Sequence, residues 1–246
     1  MEILGQGLIL PSPGTLAGFY VPGAGVPAQE LPCRFIDTRE LPVFSDPRRR
    51  RRCNRAGLLA LETLGPAVRG ALGGADPSRV GIYTYGAGDE DIDTFPLFWR
   101  DGEGMDKALS RISFSNKLLH SPGLLDSLVS IELGLTGPGM NFISLLTPAR
   151  EVIDLIESDL TDRHVDVALL TAVLSLENPS VAGHFREIPP GSVLAESAVS
   201  VVFGPGKGPV STTGRAATGT SGVTFGPMWD IISLIREESE CAPKNS

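Results

Sequence analysis

The chain has 246 residues, a formal net charge of −8, 41% hydrophobic, 20% charged and 6% aromatic residues. That is the make-up of a folded chain long enough to bury a core, and it excludes global disorder and fibrous repeats. The acidic balance argues against general nucleic-acid binding, and no apolar run approaches the ~20 residues a membrane span needs.

Ile3–Leu10 reads as a strand that Pro11 and Pro13 end. Glu2 precedes it with no basic residue, so it makes a poor signal peptide. Residues 11–50, with Pro22, Pro27, Pro32, Pro42 and Pro47, are expected to form a loop-rich excursion. A helix is expected from near Arg51, with Ala56, Leu59, Ala60, Leu64, Ala67, Val68 and Leu72 as its apolar stripe. Gly65-Pro66 should kink or split it, and Gly73-Gly74 with Asp76-Pro77 should stop it. Val80–Tyr85 reads as a buried strand and Asp89–Asp93 as a solvated acidic loop.

Leu118–Leu133 has helical spacing, with Gly134 as its C-terminal cap. A short strand, Met140–Ser144, follows. Thr147 and Pro148 fit the N-cap and first position of a helix over 149–159. Val165–Ser175 is nearly continuously apolar, as a strand covered on both faces should be, and Ala198–Phe203 reads as another buried strand. Val210–Thr213 could pair with the latter through a turn at Gly204–Gly208. Phe225–Ile235 reads as a short terminal helix packed on the core or on a partner, and 237–246 as a disordered tail. Strands alternating with helices predict one α/β domain over 1–246, a mixed, mostly parallel five-stranded sheet with helices on both faces.

The stretch Gly134–Ile156 is a strand, a tight turn and a helix N-terminus. Such an elbow is where α/β enzymes place a nucleophile, because free N–H groups and the helix dipole stabilise a thiolate or an oxyanion. Here the turn holds Leu145, Leu146, Thr147 and Pro148. The scaffold of a site is present without its reactive atom. Cys33, Cys53 and Cys241 are an odd set without metal-ligand spacing, so they read as reduced thiols of a cytoplasmic protein, with no metal and no cofactor called for. Residues 33–55 hold eight arginines, Arg48, Arg49, Arg50, Arg51 and Arg52 in one run, and form a candidate docking patch for an acidic partner; a solvated segment before the helix is the plainer reading.

Taken in order, ILGQGLIL, RCNRAGLLALETLGPAV, RVGIYTYGAG, LGLTGPGMNFIS, HVDVALLTAVLSL and LAESAVSVVFGPG resemble the β-ketoacyl synthases of the thiolase-like fold. The resemblance puts Leu146 where that family has its catalytic cysteine, and leucine cannot form a thioester. His120, His164 and His184 match neither catalytic histidine of the family. The family's histidines belong to the second half of a duplicated fold, and this chain is similar to the first half.

The pattern looks like the chain-length factors, nucleophile-free subunits that pair with a catalytic ketosynthase, in particular those of aryl polyene and related type II polyketide pathways. The resemblance implies a thiolase-like half fold, a ketosynthase partner, an acyl carrier protein as indirect or transient partner, and no catalytic residue of its own. Met140, Phe142, Leu145, Leu146 and Thr147 are then the candidate interface and tunnel segment, and Arg48–Arg52 the candidate carrier-protein docking run. A standalone acyltransferase or hydrolase using Ser144 or Thr147, and a scaffold that only holds a carrier protein, are the alternatives.

Overall fold

The computed structural model describes residues 1–12, 17–21, 29–39, 41–50, 53–87, 124–142, 148–176, 191–206, 223–224, 228, 230–233 and 235. Its centre is a five-stranded sheet in the order β1 (Glu2–Ile9), β8 (Ser197–Gly204), β6 (Val167–Leu174), β4 (Val80–Ala87), β5 (Gly139–Phe142). β6, β4 and β5 pair in parallel, while β8 runs antiparallel to both β6 and β1. Four of the five strands therefore point one way. This is the mixed, mostly parallel sheet that the apolar strands imply, and β6 and β8 are buried along nearly their whole length, as strands covered on both faces must be.

Side-chain alternation divides the core into two faces. Val80, Ile82, Leu169 and Val202 point to one, against helix α3 (Arg55–Val68) and helix α4 (Leu124–Leu133). Tyr83, Tyr85, Leu170 and Phe203 point to the other, against Val152, Ile153, Ile156 and Leu160 of helix α5 (Ala149–Thr161). Helices thus cover both faces. α5 shows its outward side, with Glu151, Asp154 and Ser158, to solvent.

α3 begins after Asn54, whose side chain accepts the Gly57 N–H at 2.8 Å, four residues later than the position Arg51 suggests. Contrary to expectation, Pro66 does not split it. The helix ends at Val68, so the one backbone bond that proline removes lies in the last turns. α3 lies directly on β1 because Gly5 and Gly7 face it: a Cβ would come within 2.1 Å of the Ala67 carbonyl oxygen at Gly5, and within 2.1 Å of that of Thr63 at Gly7. Glycine is required at both by close backbone approach.

The expected loop-rich excursion is in part a second sheet. β2 (Ala17–Val21), β3 (Gln29–Arg34), β7 (Val193–Ala195) and β9 (Val223–Thr224) pair in that order, and two single-turn helices, α1 (Pro42–Ser45) and α2 (Pro47–Arg50), follow β3. Pro32 is tolerated because β3 meets β7 only through Cys33 and Arg34, past the proline. Proline density conceals these strands in the sequence. The start of α5 also differs by one position, since Pro148 is itself the N-cap, in extended conformation. The described part of the second expected helix begins at Leu124, and Gly134, at φ +65°, ends it as anticipated. The acidic loop at 89–93, the hairpin arm at 210–213 and the tail at 237–246 lie outside the described residues. Among the described residues no helix is long and apolar enough to cross a membrane.

Candidate functional site

β5 ends at Phe142 and α5 begins at Ala149, so the expected strand and helix N-terminus are in place, in that order. Phe142 sits in register with Tyr85 of β4, at the carboxyl ends of the parallel strands, where open α/β sheets gather their ligands. β5 is an edge strand. Its Met140 is 44% exposed, one of the few large apolar side chains left in solvent among the described residues, while Phe142 is half-buried against the core. Leu145, Leu146 and Thr147, with Ser144, lie outside the described residues.

Three charged or polar groups gather beside the elbow. Arg150, in the first turn of α5, pairs with Asp154 one turn on, at 2.7 Å. Asp230 comes in from the terminal stretch and feels the charge of Arg150, and it in turn acts on the buried Tyr85 hydroxyl. Burial raises the Asp230 carboxyl above its ordinary value, with Arg150 pulling the other way. Burial raises the Tyr85 phenol, and the Asp230 charge adds to it. Met228, Ile231, Ile232 and Ile235 of the same stretch are buried in the α5-side core, so this segment packs on its own chain.

His164 is the one histidine within the described residues. Its Nδ1 lies 3.1 Å from Asp159 Oδ1, and the Tyr83 hydroxyl donates to Asp159 Oδ2 at 2.5 Å. This cluster sits at the far end of α5, about 20 Å from the elbow for a helix of 13 residues. The structure therefore does not bring His164 to the elbow.

The basic segment separates into distinct environments. Arg39 pairs with Asp37 in solvent. Arg55 is only partly exposed and turned onto the buried Glu196, so it is drawn away from the exposed run. Arg48 is exposed, at the rim of a cleft of about 370 Å³ that Cys53, Leu61, Leu124, Leu128 and the 82%-exposed Ile131 help to line. Arg49 and Arg50 belong to α2, and Arg51 and Arg52 lie outside the described residues.

Sequence reasoning missed Glu196. It is fully buried and accepts from Arg55 Nε (2.9 Å) and Nη2 (2.6 Å), from Ile36 N (2.8 Å) and from Leu176 N (3.0 Å). The available signal was a single carboxylate inside the apolar run Val193–Phe203. Such a residue needs a buried partner.

No family model matches the chain, and no curated protein does. Solved structures do match in fold. One is a type II polyketide synthase ketosynthase in complex with its acyl carrier protein, at 14% identity and TM-score 0.57 over 81% of this chain and 61% of that one. A β-ketoacyl synthase from Burkholderia phymatum gives 15% and 0.56, over 81% and 57%. A ketosynthase in complex with its chain length factor from Xenorhabdus doucetiae gives 14% and 0.56, over 84% and 58%. The chain spans about three fifths of the length of these structures. Its central sheet and the helices on its two faces have the fold of these ketosynthases, the thiolase-like fold.

Proposed function

We propose that the chain is a non-catalytic, ketosynthase-like subunit, a chain-length-factor analogue, which pairs with an active β-ketoacyl synthase and helps shape its elongation tunnel in a type II polyketide, polyene or fatty-acid-like pathway. What supports the reading is a ketosynthase-like fold together with the sequence resemblance that puts Leu146 where that family has its thioester-forming cysteine. A thioether-free hydrocarbon there offers neither a nucleophile nor a proton to transfer.

The partner would dock along β5. Its outer edge pairs with no strand among the described residues, and Met140 supplies exposed apolar surface beside it. Leu145, Leu146 and Thr147 would face the shared tunnel from the same segment. The exposed Arg48 supports the run Arg48–Arg52 as a landing point for an acidic carrier protein, by complementary charge.

Co-expression with a full-length, active ketosynthase of the aryl polyene type tests the reading. Co-purification as one complex is the expected result. A ketosynthase fully active alone that never retains this chain would sink it. Intact mass after incubation with acyl thioesters tests the alternative: the reading expects no adduct, whereas a covalent acyl adduct on this chain would make Ser144 or Thr147 a nucleophile.

A further inference from the structure

The cleft of about 370 Å³ beside Arg48 is bounded by α2, α3 and α4. It falls within the size range of small-ligand pockets. Among the described residues its floor is hydrocarbon and one thiol, from Cys53, Leu61, Leu124 and Leu128. Cys53 and Leu61 are buried, and Leu124 and Leu128 are half-buried. Ile131 follows Leu124 and Leu128 on the same side of α4 and is 82% exposed. Contiguous apolar surface of this kind marks a binding site. The rim carries charge. Arg48 is exposed, and among the described residues no carboxylate pairs with its guanidinium. Asp46 takes the Arg48 backbone N–H instead, at 2.8 Å. Asp46 and Glu132 also line the cleft, and both are engaged by other groups. Over residues 46–52 one aspartate stands against five arginines, so the local field is positive.

We propose that this cleft seats an amphipathic anion, a linear carboxylate of medium chain length, with its tail on the leucine floor and its head on Arg48. A hydrocarbon floor stabilises a hydrocarbon tail and gives a polar ligand no partner. Ser127 is the one hydroxyl among the described lining residues, and it is exposed, so the floor stays apolar. A tail of about ten carbons is smaller than a drug-sized ligand and fits the volume. Charge places the head: a carboxylate completes the Arg48 guanidinium, whereas an ammonium would meet it. The proposal stands apart from the subunit reading, because the cleft and its charge belong to this chain alone. An acidic helix of a protein partner is the competing occupant.

The test is isothermal titration calorimetry of the full chain with decanoate, below the concentration at which it forms micelles. One saturable site per chain is expected. Decyltrimethylammonium, the same tail with a cationic head, should bind about tenfold more weakly. Arg48→Glu should weaken decanoate binding about fivefold and Ile131→Asp about threefold. Both positions are exposed, so the fold should persist, and circular dichroism checks that it does. Arg48→Lys keeps the charge and should bind within about twofold of the unaltered chain. The absence of a saturable site in the unaltered chain overturns the proposal. So does decanoate binding that Arg48→Glu or Ile131→Asp leaves unchanged. Binding of an acidic carrier protein through Arg48 and Ile131, with none of decanoate, overturns it too and gives the cleft to a protein. No arm involves a ketosynthase, so failed co-purification sinks the subunit reading and leaves this result standing.

Discussion

Arg55, at the start of α3, grips Glu196, between β7 and β8, with two side-chain nitrogens on two carboxylate oxygens. The same carboxylate takes the N–H groups of Ile36 and Leu176, and the same guanidinium donates to the Ile36 carbonyl at 2.8 Å. One ion pair therefore ties the second sheet, the end of β6 and the first turn of α3 together. Charge-assisted, bidentate and with its carboxylate fully buried, it is a strong joint, and a costly one to leave half-made.

Glu196→Ala should lower unfolding free energy by about 3 kcal/mol, because it takes the carboxylate from a partly buried guanidinium and leaves two backbone donors without their acceptor. Arg55→Lys should also destabilise, since an ammonium cannot span both oxygens. Urea titration followed by circular dichroism measures both. A Glu196→Ala midpoint equal to that of the unaltered chain would show that the pair carries no stability.

Gly7→Ala should destabilise by more than about 2 kcal/mol. The new methyl has nowhere to go, and α3 must lift off β1 to admit it. Pro66→Ala is the opposite case. It restores a helical N–H near the end of α3 and should stabilise by about 1 kcal/mol. Melting temperatures of the two variants should move in opposite directions.

Asp230 sets a pH dependence whose sign follows from its raised carboxyl value. Between the unfolded and the folded titration points the native chain holds more protons than the unfolded one. Stability from this group is therefore full below the unfolded carboxylate value and is lost as pH rises through the folded one. Asp230→Asn removes that loss. The difference in unfolding free energy between variant and unaltered chain should be smaller at pH 3.5 than at pH 7, and favour the variant at pH 7. Asp37, Asp76 and Asp166, held low by hydrogen bonds and nearby arginines, act in the reverse sense and cancel in that difference.

Burial, with the neighbouring Glu196 charge, pushes the Cys33 thiol up to about 11. At pH 8 its thiolate is about a thousandfold scarcer than its thiol. Iodoacetamide should leave Cys33 unmodified in the folded chain and modify it in urea, as peptide masses will show. Modification of the folded chain at the rate of the unfolded one would contradict this burial.

The central sheet was legible because β6, β8 and the stripe of α3 bury long apolar runs, whose periodicity is written directly in residue order. The strand and helix that flank the elbow were legible from a Gly-Pro-Gly approach and an amphipathic helical pattern in succession. β2, β3 and β7 were not. They are short, β3 contains a proline, and pairing across 160 residues, as between Cys33 and Leu194, leaves no local trace. The fate of Arg55 was hidden likewise: in sequence it is one more arginine beside a basic run, and only Glu196, far along the chain, removes it from the surface.

The pairing of β1 has a consequence for how the chain is made. Glu2 lies opposite Gly204 and Ile9 opposite Ala198. During synthesis the first strand leaves the ribosome some two hundred residues before its only hydrogen-bonding partner among the described strands, with its apolar side chains and unpaired edge exposed meanwhile. α3 can shelter one face early, through Gly5 and Gly7, but the edge must wait for β8. Late, non-local closure of this kind makes for slow folding and an interval open to aggregation. Yield in a recombinant host should then depend on translation rate and temperature more than the final stability of the fold would suggest.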